Sequence, residues 1–260
     1  MINVPVSTFR ARAREDLKGR WGSAIGALVL FVISGVVINF ICTFVANIFG
    51  GQENLVGLFV LQLLTFLLSV PIAFGFIMFM LNFARKDKDV AATDIYNGYN
   101  YFVPVVVLNI LLNIFILLWT MLLIIPGIIK SIEYSQAQFI LADDPTIAPI
   151  EAINESKKMM YGNKMKYFLL NLSFIGWGIL TVITFGIAAI WVGPYMQTAL
   201  AEFYLEVSGK GGAEASGDAT SSSSAIANSV IVEDKKAPVE PVVKADSEAE
   251  KGAEVTSDDE

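Results

Sequence analysis

At 260 residues, with a mean hydropathy of +0.60 and only 17% charged residues against about 25% in an ordinary soluble chain, this sequence reads as an all-α integral membrane protein. Of its 18 basic and 25 acidic side chains, 5 and 12 lie in residues 209–260, so that end carries the whole net charge of −7 and residues 1–208 are neutral. With no His and a single Cys, Cys42, the chain lacks the parts for His general bases, Ser–His–Asp or Cys–His nucleophiles, His/Cys zinc sites and disulfide scaffolds.

From the N-terminus, the first element is a polar, helix-capable segment, Thr8 to Gly19, with Phe9, Ala13 and Leu17 at four-residue spacing. That face is expected to lie in the membrane interface, with Arg10, Arg12 and Arg14 toward lipid phosphates. Residues 21–52 follow without a charge for 32 positions, more than the 20 or so residues a spanning helix needs. The stretch is far longer than the roughly 7–15-residue core of a signal peptide and has no Ala-x-Ala site, so it is expected to be retained. Gly22 and Gly26 form a Gly-x-x-x-Gly pattern that marks an expected close helix contact. A second span falls in the uncharged residues 54–84, with Pro71 and Gly75 inside it.

A second polar foot, Thr93 to Gly98, leads through Tyr101-Phe102 into the uncharged residues 95–129, and Pro126-Gly127 reads as the break after the third span. A fourth span is expected over 128–143, although Lys130 and Glu133 interrupt it. The third foot, Thr146 to Gly162, leads through Tyr167-Phe168 into the uncharged residues 167–201. As one helix these would run roughly 50 Å, against a hydrocarbon core of about 30 Å. A break at Thr184-Phe185-Gly186 therefore folds 164–207 into two helices.

Basic residues near the span ends give the orientation. Arg10, Arg12, Arg14, Lys18 and Arg20 precede span one, Arg85, Lys86 and Lys88 follow span two, and Lys157, Lys158, Lys164 and Lys166 lie between spans four and five. The opposite connections, at 50–54, 126–127 and 185–186, carry no Lys or Arg. The expectation is an all-α membrane domain over 1–208, with about six transmembrane helices as three hairpins, amphipathic cytoplasmic segments and both termini in the cytoplasm. Whether the three foot-plus-hairpin units are true repeats stays open, because the glycines closing the feet are unequally spaced. Residues 209–260, rich in Gly, Ala, Ser, Glu and Asp, are expected to form a disordered acidic cytoplasmic tail. The tail is either a solvating extension or a docking arm for a membrane or cytoplasmic protein; its sign excludes nucleic acid.

Ionisable residues within a bilayer are costly and count as functional candidates. Lys130 and Glu133, three apart on one helical face, are expected to pair. They then either follow the Lys130 ammonium to the interface or line a polar cavity continued by Gln136 and Gln138. Asn109 and Asn113, four apart in span three, either hydrogen-bond between helices or mark a solute path. No nucleotide fingerprint, activated nucleophile or ligand cage is found, and no cofactor is expected.

From Arg12 onward the chain resembles a family of bacterial integral membrane proteins catalogued as domain of unknown function 975. The resemblance rests on Ala13 with Leu17-Lys18-Gly19-Arg20-Trp21, on Pro126-Gly127-Ile128-Ile129-Lys130 and Tyr134, and most specifically on Phe139 through Pro145 with Glu151-Ala152-Ile153 and Ser156. It continues through Met160, Gly162, Asn163, Lys164 and Ser173-Phe174-Ile175-Gly176-Trp177 to Gly193-Pro194-Tyr195 and Phe203-Tyr204, about residues 8–207 in all. It implies a multi-pass protein of the bacterial plasma membrane and no particular activity. Within it, Asp143-Asp144-Pro145 is expected to end a helix, with Thr146 capping the next. Asp143, Asp144, Ser156, Lys164 and Lys166 then form a candidate cluster at the cytoplasmic mouth of hairpin three, in which Asp143 or Asp144 pairs with Lys164 or Lys166.

Three roles follow. The first is a non-enzymatic membrane protein that binds or organises partners or lipids. The second is a small-solute or lipid transporter, or a subunit accessory to one. The third is an intramembrane enzyme working with carboxylates alone.

Overall fold

The computed structural model describes residues 4–86 and 90–210. Lys88 and all of the acidic tail beyond Lys210 lie outside the described residues. The described chain is helical, with no strand. Helix α1 (Val6–Leu17) leads into α2 (Trp21–Ile48) and α3 (Leu55–Ala84), and a 3-10 stretch over Ala92–Tyr101 enters α4 (Phe102–Leu122). There follow α5 (Ile124–Tyr134), α6 (Ala137–Asp143), α7 (Pro149–Met160), α8 (Lys164–Ser173), α9 (Ile175–Ile183) and α10 (Ala189–Val207).

Four helical stretches are long and apolar enough to cross a membrane: Trp21–Ile48, Leu55–Ala84, Ala92–Leu122 and Lys164–Ile183. The two other segments read as spans differ from those four for visible reasons. The first is cut at Ser135-Gln136 into α5 and α6, of 11 and 7 residues. The second, α10, carries Glu202 and Glu206 and buries residues from Pro194 to Leu205 in the protein.

Local chemistry sets the breaks. Asn54 caps α3 by accepting from the Val56 N–H at 3.0 Å. The turn after α4 falls at Leu123, in extended backbone, rather than at Pro126-Gly127. Pro126 instead sits in the first turn of α5, where its missing N–H costs nothing. Gly127 presses on α4: a Cβ there would lie 2.4 Å from the Thr120 hydroxyl. The break near 184–186 forms as expected, with Phe185 and Gly186 both at positive φ and Phe185 98% exposed.

The Gly-x-x-x-Gly pattern of α2 does not make the expected close contact. Gly22 faces open space and Gly26 meets only Ala92 at 3.5 Å. The tight approach is made by Gly75 of α3 and Gly98 of the 3-10 stretch, where added Cβ atoms would lie 1.8 Å from the Ile95 carbonyl and 2.0 Å from that of Pro71. Nearby, the Tyr99 hydroxyl donates to the Leu68 carbonyl at 2.7 Å.

The core gathers at the charged end. It joins Phe9, Ala13 and Leu17 of α1, Phe74, Phe79 and Phe83 of α3, Leu141 of α6, and Ala199 and Phe203 of α10. Phe9 and Tyr167 both meet Phe203 edge-on, with centroids 5.4 Å apart. The apolar face of α1 therefore packs on protein rather than on lipid. The other end is apolar and exposed: Phe40, Ile48, Leu55, Met121 and Ile125 are each at least 70% accessible. In water that would be a large liability; in a bilayer it is the surface that lipid covers.

Candidate functional site

Lys130 and Glu133 come together as expected, and a third partner joins them. The Lys130 ammonium donates to Glu133 Oε2 at 2.6 Å, and Lys164, first residue of α8, donates to Oε1 at 2.5 Å. Lys130 also lies 5.1 Å from the Trp119 ring centroid. Lys164 is aimed here by the turn before it, in which Gly162 takes positive φ and Asn163 donates to the Met159 carbonyl at 3.0 Å. One buried carboxylate is thus held by two ammoniums from different helices.

Beside it, the break between α5 and α6 leaves backbone groups without helical partners, and Ser156 of α7 serves both sides. Its fully buried hydroxyl donates to the Glu133 carbonyl at 2.7 Å and accepts from the Gln136 N–H at 3.2 Å. The Gln136 side chain donates to Ser135 Oγ at 2.9 Å, while its own Oε1 is buried without a hydrogen-bond partner. Asn109 donates to the Val105 carbonyl and accepts from Gln138 at 3.0 Å, tying α4 to α6. Asn113 donates to the Asn109 carbonyl and stays exposed. Between α5 and α8 runs a cleft of about 370 Å³, lined by Ile128, Ser131, Ile132, Tyr167, Phe168 and Asn171.

The cluster expected at the mouth divides. Ser156 and Lys164 belong to the Glu133 group. Asp143, at the end of α6, ion-pairs with Arg85 and Lys210 and accepts from the Tyr204 hydroxyl at 2.7 Å. Asp144 turns to Thr146, accepting from its N–H at 3.0 Å and its hydroxyl at 2.5 Å. Those bonds hold the exposed Asp144 carboxyl below its usual range. Thr146 consequently does not cap α7, which starts at Pro149 after Ala148. Lys166 sits two residues beyond Lys164 on α8.

A second acidic centre, unmarked by any sequence motif, joins α1 to α10. Asp16, with 2% of its side chain exposed, neighbours Glu202, and Lys86 lies 3.8 Å from its Oδ1. Its Oδ2 is buried and makes no well-formed hydrogen bond. Burial pushes the Asp16 carboxyl up, and the Glu202 contact and the Lys86 charge draw it part of the way back. Arg12 bonds Glu206 at 2.7 Å and lies 3.8 Å from Glu202. The available signal was Asp16 itself, one residue before Leu17 on a short helix that buries its apolar face. Among the described residues, no group of three or more Cys, Asp and Glu is placed to hold a metal ion.

A family model described as protein of unknown function (DUF975) matches residues 4–133 and 120–211. None of the curated proteins and none of the solved structures matches the chain.

Proposed function

Because the chain belongs to the DUF975 family over residues 4–211, and that description names no activity, we propose its role from the molecule itself. It is a multi-pass protein of the bacterial plasma membrane, crossing six times as three hairpins with both termini in the cytoplasm. It is non-enzymatic, and its charged end binds or organises lipids and partner proteins.

One observation carries this reading: the chain returns to the same charged end after every hairpin. Arg20, ahead of α2, donates to the Phe83 carbonyl at the end of α3, and Lys86 meets Asp16. Arg85 then meets Asp143 after the second excursion, and Arg12 meets Glu206 after the third. Each return implies an even number of crossings between, and two each time accounts for all the uncharged stretches. Glu133 and Asp143 are each met by two basic side chains, the arrangement of structural ion pairs more than of acid/base catalysts.

Cysteine labelling tests the topology. In a Cys42→Ala background, Asn54→Cys, Ile124→Cys and Phe185→Cys should react with an impermeant maleimide in intact cells whose outer barrier is opened. Lys18→Cys and Glu151→Cys should react only after the plasma membrane is permeabilised. Protection of position 124 or 185 would sink the six-span reading. A transport role is the second reading, favoured by the unpartnered Gln136 Oε1 beside the Glu133 group. Solute flux in proteoliposomes that stops in Glu133→Gln would place it ahead of the first.

A further inference from the structure

The cleft between α5 and α8 combines three features. Its walls are one face of each helix: Ile128, Ser131 and Ile132 on α5, and Tyr167, Phe168 and Asn171 on α8. It opens sideways among exposed apolar side chains, since Ile128 is 51% and Phe168 44% accessible. It also holds hydrogen-bonding capacity along its length. Ser131 donates to the Ile128 carbonyl and keeps its oxygen free to accept. Asn171 donates to the Tyr167 carbonyl and also hydrogen-bonds the Tyr167 phenol, leaving its Oδ1 to accept.

Toward the charged end stands Lys164, one turn before Phe168 on the same face of α8, and Lys130 meets it at the shared Glu133. The Lys130 and Lys164 side chains are 27% and 36% exposed while Glu133 is 11% exposed. Two ammoniums meet one carboxylate, so the group keeps one net positive charge and N–H donors that still reach outward. An apolar slot open toward lipid, ending in a surplus cation, matches one chemistry: a phosphate-bearing head followed by a hydrocarbon chain. Dissolved phosphate would satisfy the cations but leave the slot without purpose.

We infer that the α5–α8 cleft is a binding site for an anionic glycerophospholipid, its phosphate on Lys164, with the Lys130 charge behind it at the shared Glu133, and the start of an acyl chain between Ile128 and Phe168. This deepens the reading of the charged end as a lipid-binding one and rests on it. Glu133 then acts as a positioning residue, tying the Lys164 ammonium to that of Lys130.

The full chain, purified in mild detergent, is titrated with phosphatidylglycerol, with phosphatidylcholine and with inorganic phosphate, and bound lipid is counted by native mass spectrometry. Phosphatidylglycerol is expected to bind several-fold more than phosphatidylcholine and to withstand inorganic phosphate. Lys164→Gln should lower its retention about fivefold, the effect of one cation near a headgroup. The double variant Ser131→Leu/Asn171→Leu, which fills the cleft and leaves the charges alone, should lower it as much at unchanged detergent Tm. Equal retention in the filled variant, equal binding of the two lipids, or displacement by inorganic phosphate each overturns the site. A wrong membrane topology would instead show in the cysteine labelling, which does not depend on lipid retention.

Discussion

Asp16 is held in the protein core beside a second acid, and that has a measurable price in pH dependence. Burial raises its carboxyl, Glu15 adds to the rise, and Glu202, Lys86 and Arg20 oppose it. The folded chain therefore binds this proton more tightly than the unfolded chain, where such a carboxyl titrates near 3.8. For a group with a raised folded value, the contribution is complete below the unfolded value and is lost as pH climbs through the folded one. Asp16→Asn removes that loss. Measured in detergent at pH values upward from about 4, the Tm of the variant relative to the unmodified protein should improve as pH rises through the range in which the buried Asp16 ionises. Parallel curves would mean that Asp16 carries no such linkage.

At the scale of elements, two glycines on neighbouring helices make opposite demands. Gly75 of α3 lies against the Ile95 carbonyl with no room for a methyl group, whereas Gly22 of α2 faces open space. Gly75→Ala must push the 3-10 stretch away from α3 and should cost about 1–3 kcal/mol or more. Gly22→Ala should be neutral or stabilising by up to about 1 kcal/mol, because it only removes backbone freedom. Chemical denaturation of both variants in the same detergent checks the pair, and equal effects would contradict the packing described. The same pair shows where sequence reading stops. The uncharged stretches and the reversal at Phe185-Gly186 are local properties, set by solvation and by backbone sterics, and were legible in the sequence. Which glycine is a contact depends on which helix faces which, and spacing favoured Gly22 and Gly26 over Gly75 and Gly98. The candidate site shows the same division. Lys130 and Glu133, one turn apart, were legible as a pair; their sharing of Lys164 was not, since it needs the path of the whole chain between residues 133 and 164.

For the whole molecule, the family match ends at residue 211 and the net charge of −7 lies in residues 209–260. Deleting residues 216–260 should leave the detergent Tm unchanged within about 1 °C, because a segment rich in Gly, Ala, Ser, Glu and Asp has little apolar surface to bury against the body. A larger loss would show that the tail contributes to the stability of the body. Pull-downs from native membranes with and without the same residues would then separate a docking arm from a solvating extension: a stoichiometric protein partner lost with the tail identifies the arm.

Asp143 collects Arg85, made well before it, and Tyr204 and Lys210, made well after it. Arg85 is on hand when Asp143 leaves the ribosome, so the first two hairpins can be joined early. Tyr204 and Lys210 follow only when synthesis of the body is almost finished. The cluster thus records completion of the helical body: a nascent protein stalled before Tyr204 has an acid with one partner where the finished protein has three. Quality control in the membrane would meet an open, half-neutralised seam in the first and a closed one in the second.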